Sequence, residues 1–76
     1  MENFEAILGQ VIATERKRAG LTQEALASRC KLHPTYISQL ERGLKSPTVR
    51  VLVLVAGAIG TKASEILQRA EELAVS

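Results

Sequence analysis

The chain has 76 residues, of which 46% are hydrophobic and 24% charged. Such a length allows one domain with a small core, since only ~60% of the unfolded surface is buried on folding. The composition excludes a disordered tail, which would be poor in apolar residues and rich in charge. Because no apolar run reaches the ~18 residues of a membrane span and the N-terminus lacks a basic region, we expect neither a transmembrane helix nor a signal peptide.

Residues that build catalytic and metal sites are scarce. The chain has one cysteine, Cys30, one histidine, His33, and no aspartate. A single cysteine forms no internal disulfide, which fits a reducing cytoplasm. With so few candidates, neither a metal site nor a nucleophile–base pair is expected. The sequence therefore predicts a cytoplasmic binding module that is not an enzyme and needs no cofactor.

The net charge of +2 is unevenly distributed. Residues 16–50 carry eight Lys or Arg and two Glu, a net charge of +6, whereas residues 1–15 carry −3 and residues 51–76 carry −1. A basic middle between acidic ends is typical of a surface that faces nucleic acid. Charge alone leaves open a solvated face without any partner.

Apolar residues at helical spacing predict three helices in the first half of the chain. The first helix ends in a basic turn before Gly20. Thr22 is an N-cap for the second, which closes near Lys31, and Pro34 begins the third, which ends at Arg42-Gly43. The stripe of the first helix consists of Phe4, Ile7, Leu8, Val11 and Ile12.

The second half of the chain is less clear. Residues 49–56 are rich in valine and can be interpreted as a buried strand. A lone strand would have no partner, however, and the N-cap Thr48 and the distance to Gly60 favour a helix. A fifth helix is predicted from Ala63 to about Ala74, with Ser64 as a cap. The predicted fold class is all-α, with five helices and no sheet.

Two short helices, at about 23–30 and 34–42, are joined by three or four residues, and the second is rich in small polar side chains. This pattern predicts a helix-turn-helix. Ala27 has to be small because the second helix crosses over it, while Leu26, Ile37 and Leu40 fix the angle between the two. Such a pair places its second helix in the DNA major groove, about 12 Å wide, and its first across the backbone.

Three segments resemble the Xre family of phage-repressor and Cro-type regulators. They are GLTQEALA at 20–27, YISQLERG at 36–43 and SPT at 46–48. The resemblance runs without gaps over about residues 8–67 and implies a lambda-repressor-like DNA-binding domain, so residues 1–76 are expected to form a single domain with this regulator core. Residues 32–38 are also similar to controller proteins of restriction–modification systems, which usually carry Arg where this chain has Pro34.

The resemblance also implies which residues contact DNA. Gln23 is expected to contact phosphate, or a base edge near it, from the start of the first motif helix. Gln39 matches the hydrogen-bonding edge of adenine, and Thr35 suits thymine, phosphate or another base. The full predicted set is Gln23, His33, Thr35, Tyr36, Ser38, Gln39, Arg42, Lys45 and Ser46.

Other matched positions have structural interpretations. Arg16 and Glu41 occupy positions that form an internal ion pair in the family. Lys31 stands where glycine is common, so it is expected to need a positive φ, at a cost of ~1 kcal/mol. His33 is a helix cap or a phosphate contact, and Tyr36 either contacts DNA or supports the fold. Cys30 is expected to be a small buried hydrophobe.

The fourth and fifth helices predict a dimer. Val51, Leu54 and Ala58 recur at helical spacing on a face that relatives usually keep polar, and Leu73 and Val75 extend the apolar character of the fifth helix past the core. A two-fold contact would bury this surface twice. The alternative is that the C-terminal residues wrap helix four within one monomer.

Together these features predict a sequence-specific, double-stranded-DNA-binding regulator of transcription. It is expected to act as a repressor or an autoregulating controller, and to bind a palindromic operator as a homodimer. No membrane and no small-molecule ligand is expected among its partners. The alternatives are a protein-interaction module and a DNA-binding antitoxin with the same fold.

Overall fold

A computed structural model describes residues 3–75. In that range the chain forms five α-helices and no strand: α1 (Phe4–Arg18), α2 (Gln23–Cys30), α3 (Pro34–Glu41), α4 (Val49–Ile59) and α5 (Ala63–Val75). The predicted all-α fold of five helices is confirmed. The two motif helices lie where the spacing places them, with α3 ending one residue earlier than expected.

Short polar side chains begin three of the helices. Asn3, Thr22 and Thr48 each accept a hydrogen bond from the N–H three residues ahead, at 3.2, 3.0 and 3.1 Å. Each bond satisfies a donor that has no partner inside the helix and contributes about 1 kcal/mol. The prediction that Ser64 is a cap is wrong, because Ser64 lies inside α5. The chain enters α5 through Lys62, whose carbonyl accepts the first helical hydrogen bonds.

The segment that could be interpreted as helix or strand is helical. Leu52, Val55 and Ala56 are buried on one side of α4, at the spacing of a helix. The helix ends at Gly60, whose φ of 101° is in the left-handed region that favours glycine. Burial of this apolar side against the other helices outweighs the modest strand preference of its valines.

The core lies where the five helices meet. α1 packs against α3, α4 and α5, while α2 packs against α3 and α4. Each fully buried large side chain contributes about 1.5–3 kcal/mol by leaving water. Ala27, expected to be small at the helix crossing, is buried. The largest fully buried side chains are Ile12, Leu26, Ile37, Leu40, Val55 and Ile66.

The helices are short compared with the thickness of a membrane. No single helix within residues 3–75 is long and apolar enough to cross one. α4 and α5 reach that length and composition only when taken together, and they are bent by 102° where they join. In this fold the same two helices place Leu52, Val55 and Ile66 in the core.

Candidate nucleic-acid interface

The turn between α2 and α3 consists of Lys31, Leu32 and His33. Lys31 has φ 57° and ψ 40°, which confirms the positive φ expected of this non-glycine residue. The N–H of Leu32 donates to the carbonyl of Ala27 at 2.9 Å, so the turn folds back onto the end of α2. This closure fixes the direction in which α3 leaves α2.

His33 begins α3. Its Nδ1 accepts a hydrogen bond from the N–H of Thr35 at 3.1 Å, and Pro34 follows at the first helical position. The interpretation of His33 as a helix cap is therefore confirmed. With Nδ1 accepting, the proton of the neutral ring lies on Nε2, which is a donor at an exposed position.

The two faces of α3 differ in chemistry. Ile37 and Leu40 are 0% and 1% exposed and anchor one face in the core. Residues three and four apart share a face, so Thr35, Gln39 and Arg42 lie on the opposite side. Thr35 and Arg42 are exposed and Gln39 is half-buried. The structure thus brings these three predicted contacts together on one polar face.

The remaining predicted contacts flank that face. Ser38 is half-buried, and its carbonyl accepts a hydrogen bond from Arg42 Nε at 3.4 Å. Lys45 and Ser46 are exposed in the loop between α3 and α4. Tyr36 is half-buried and packs against the core, which supports its structural interpretation.

Gln23 is the first residue of α2, and its side chain has a partner inside the protein. Its Nε2 donates to Glu41 Oε1 at 2.9 Å. Sequence reasoning missed this bond, since 18 residues separate the two side chains and no periodicity links them. The backbone of Gln23 still lies at the helix N-terminus, the place from which a phosphate contact is predicted.

Arg16 and Glu41 form the ion pair that the resemblance implies. Arg16 Nε and Nη2 donate to the two carboxylate oxygens at 2.6 and 2.9 Å, and Nη1 donates to the carbonyl of Leu21 at 2.8 Å. The side chains of the pair are only 9% and 6% exposed. The hydrogen bond to Glu41 raises the pKa of Arg16 above its usual value.

The structure reduces the basic charge available to a partner. Arg16 is neutralised by Glu41. Arg29 keeps its charge, but its Nη1 donates to the carbonyl of Ala58 at 3.1 Å, which holds the side chain near the end of α4. Seven basic residues of the segment 16–50 are exposed, and the last three of them follow α3: Lys17, Arg18, Arg29, Lys31, Arg42, Lys45 and Arg50.

The predicted dimer residues of α4 differ in exposure. Val51 and Ala58 are half-buried and pack against the core, whereas Leu54 is 47% exposed. Val49 and Val53, which are not among the residues predicted from sequence, are 80% and 55% exposed. The exposed apolar residues of α4 are therefore Val49 and Val53, which lie one turn apart on the same side, and Leu54, which lies about 100° further around the helix axis than Val53.

Leu73 and Val75 do not share one surface. Leu73 lines a groove together with Gln10 and Thr14 of α1. Val75 lines a separate apolar groove beside Phe4. Two residues apart on a helix are about 160° apart around its axis, so a single flat partner surface cannot cover both.

Cys30 is a buried hydrophobe, as predicted. It is 8% exposed, and its thiol donates to the carbonyl of Leu54 at 3.7 Å. Burial raises the pKa of this thiol. Across residues 3–75, no group of three or more His, Cys, Asp or Glu side chains is placed to hold a metal ion.

Known proteins share this arrangement. A sequence profile of the helix-turn-helix family matches residues 12–66. The chain belongs to the Xre-type helix-turn-helix family of DNA-binding transcription regulators. The profile spans α2, the turn, α3 and the loop after α3, which together carry all of the predicted contacts.

Individual relatives agree with this assignment. The chain is 36% identical to the uncharacterized HTH-type transcriptional regulator y4dJ of Sinorhizobium fredii, over 92% of this chain and 91% of that protein. It is 32% identical to the control protein C.BamHI of Bacillus amyloliquefaciens, over 86% and 82%. The restriction-modification controller protein C.Esp1396I, solved as a tetramer with its natural 35 base-pair operator, is 26% identical, with a TM-score of 0.84 and 96% of each chain covered. These relatives are transcription regulators or controllers, not enzymes.

Proposed function

We propose that this protein regulates transcription by binding a palindromic operator as a homodimer, as a repressor or an autoregulating controller. The observation that carries the proposal is the polar face of α3, where Thr35, Gln39 and Arg42 stand opposite the buried Ile37 and Leu40. Because Ile37 and Leu40 anchor α3 in the core, the polar face can contact bases without the entropy cost of ordering the helix on binding. The operator complex of C.Esp1396I supports the same use of the fold.

Each polar group has a DNA group that matches its chemistry. The amide of Gln39 can bond N6 and N7 of adenine at once, and Thr35 can place its methyl against thymine or its hydroxyl on a base or phosphate. Lys45 and Arg42 are donors for phosphate, as is Nε2–H of His33. Base contacts from the helix determine which sequence is preferred, whereas phosphate contacts from its flanks strengthen binding to any duplex.

Dimerisation gives the readout its length. α3 is the recognition helix in this proposal, and one copy of it covers too few base pairs to select a single site. Two copies on a two-fold axis read half-sites about 34 Å apart. The exposed Leu54 of α4, with Val53 next to it, supplies an apolar contact for this dimer. Leu54 belongs to both the predicted and the exposed set, so it is the residue to test.

The polar character of α3 favours DNA over a protein partner. A protein-interaction module would be expected to present an apolar face there, and Thr35, Gln39 and Arg42 are all polar. Two of its relatives come from bacteria, in which the DNA lies in the cytoplasm, so we place this protein in that compartment.

The decisive experiment is selection of duplexes from a random library by the purified protein. We expect an enriched sequence with two-fold symmetry, bound with an affinity that falls steeply with salt. Each neutralised phosphate should add about 0.9 to the slope of log affinity against log salt. Failure to enrich any sequence, or binding that is indifferent to salt, would contradict the proposal.

A further inference from the structure

Three helix ends meet at the carboxylate of Glu41. Arg16 comes from the last turns of α1, Gln23 is the first residue of α2, and Glu41 is the last residue of α3. Glu41 Oε1 accepts from both Arg16 Nη2 and Gln23 Nε2, each at 2.9 Å. The side chain of Gln23 is therefore tied to the end of the recognition helix.

The ion pair between Arg16 and Glu41 sets the orientation of the Gln23 amide. A carboxylate that faces a guanidinium accepts hydrogen bonds and donates none, so the nitrogen of the amide, and not its oxygen, faces Glu41. Within residues 3–75, the second N–H of this amide and its Oε1 have no other hydrogen-bond partner. Gln23 thus keeps one N–H donor and one oxygen acceptor, and the hydrogen bond to Glu41 determines the positions of both.

We propose that Glu41 is a positioning residue for Gln23 and that it presents this donor and acceptor to DNA in a preset orientation. Arg16 holds Glu41 through two hydrogen bonds, so the carboxylate itself is fixed. Preorganisation lowers the ordering cost of binding, and it excludes the flipped amide that would place an oxygen against Glu41. The inference rests on the proposed function, because it assigns Gln23 a contact with DNA.

A double-mutant cycle tests the proposal. Affinity for the duplex enriched by the wild-type protein is measured for Glu41→Gln, Gln23→Ala and the double variant, at a temperature where circular dichroism shows each to be folded. Glu72→Gln is the matched control, since it removes the same charge at an exposed residue paired with Arg69. We expect Glu41→Gln to weaken binding about 3- to 10-fold relative to this control, the range for one immobilised side chain. In the Gln23→Ala background it should have no effect.

If Glu41 only stabilises the fold, the result is different. Glu41→Gln would then weaken binding equally in the wild-type and the Gln23→Ala backgrounds. That outcome overturns the positioning role and leaves the proposed function intact. If Glu41→Gln does not fold, Glu41→Asp replaces it in the cycle, since aspartate keeps the charge beside Arg16 and withdraws its oxygens by one methylene. If the wild-type protein enriches no duplex, the proposed function fails and this inference fails with it.

Discussion

Gly9 of α1 lies against the backbone of Leu40 at the end of α3, with no room for a methyl group between them. A Cβ on Gly9 would collide with the carbonyl oxygen of Leu40 and lie 2.5 Å from that of Glu41. Glycine inside a helix costs about 0.5–1 kcal/mol relative to alanine, so its presence here needs a reason. The close approach of α1 to α3 is that reason, and it brings Glu41 within reach of Arg16.

Gly9→Ala is expected to destabilise the protein by about 1–3 kcal/mol, because the opposing atoms are backbone and cannot rotate away. Gly57→Ala is the matched control in α4, since an added Cβ there contacts nothing within 4 Å. That change should stabilise by about 0.5–1 kcal/mol through helix propensity. Urea unfolding followed by circular dichroism measures both, and equal effects would refute the close packing of α1 on α3.

Arg16→Met is expected to cost about 3–5 kcal/mol, because it leaves the buried Glu41 carboxylate without its counter-charge. Arg18→Met provides the comparison. Arg18 pairs with Glu15 at 3.2 Å, but its side chain is 73% exposed, so the loss should stay below about 1 kcal/mol. The free energies of unfolding of the two variants measure the difference. A loss of stability for Arg16→Met as small as that for Arg18→Met would show that the buried ion pair is not a determinant of stability.

Gln39→Ala and Thr35→Ala should each reduce the preference for the selected operator, by about 1–3 kcal/mol for every base that is no longer read. Lys45→Ala should instead weaken binding to all duplexes about equally and lower the salt slope by about one unit. Mobility shifts on the selected duplex and a scrambled one separate the two effects. Equal losses of affinity on both duplexes for Gln39→Ala would mean that Gln39 does not read bases.

Leu54→Glu should convert the proposed dimer to a monomer, because it places a charge on the exposed apolar surface of α4. Gln68→Glu introduces the same charge at an exposed position of α5 outside that surface and should leave the dimer intact. Sedimentation at micromolar concentration distinguishes the two states. A dimer that survives Leu54→Glu would exclude this surface as the interface.

Cys30 should react slowly with iodoacetamide in the folded protein. Its thiol is buried, and the raised pKa leaves a smaller fraction of reactive thiolate at any pH below that pKa than a free cysteine would have. Raising the pH should speed the reaction, and unfolding in urea should bring it to the rate of an exposed thiol. Mass spectrometry after timed alkylation measures the rate, and rapid labelling of the folded protein would contradict the burial.

The close packing at Gly9 has a signal in the sequence. A glycine within a helical pattern, as Gly9 is between Leu8 and Val11, lowers helix propensity and therefore indicates a packing or functional reason for its presence. The sequence alone does not say which backbone approaches, however. That partner is the end of α3, about thirty residues further along the chain.

Local features of the sequence were sufficient to predict α1, α2, α3 and α5 and the polar face of α3. The choice of helix over strand for α4 also needed the absence of a partner strand, and the positive φ of Lys31 was implied by the family resemblance. Helix spacing, N-caps and turn residues act between neighbours within a few positions, so their effects can be identified before the chain is folded. The partners of side chains depend instead on which helix ends come together. Only the tertiary structure decided that Gln23 donates a hydrogen bond to Glu41 and that Leu73 and Val75 line different grooves. Both depend on how whole helices pack against one another, and helix packing brings together residues that are far apart in the sequence.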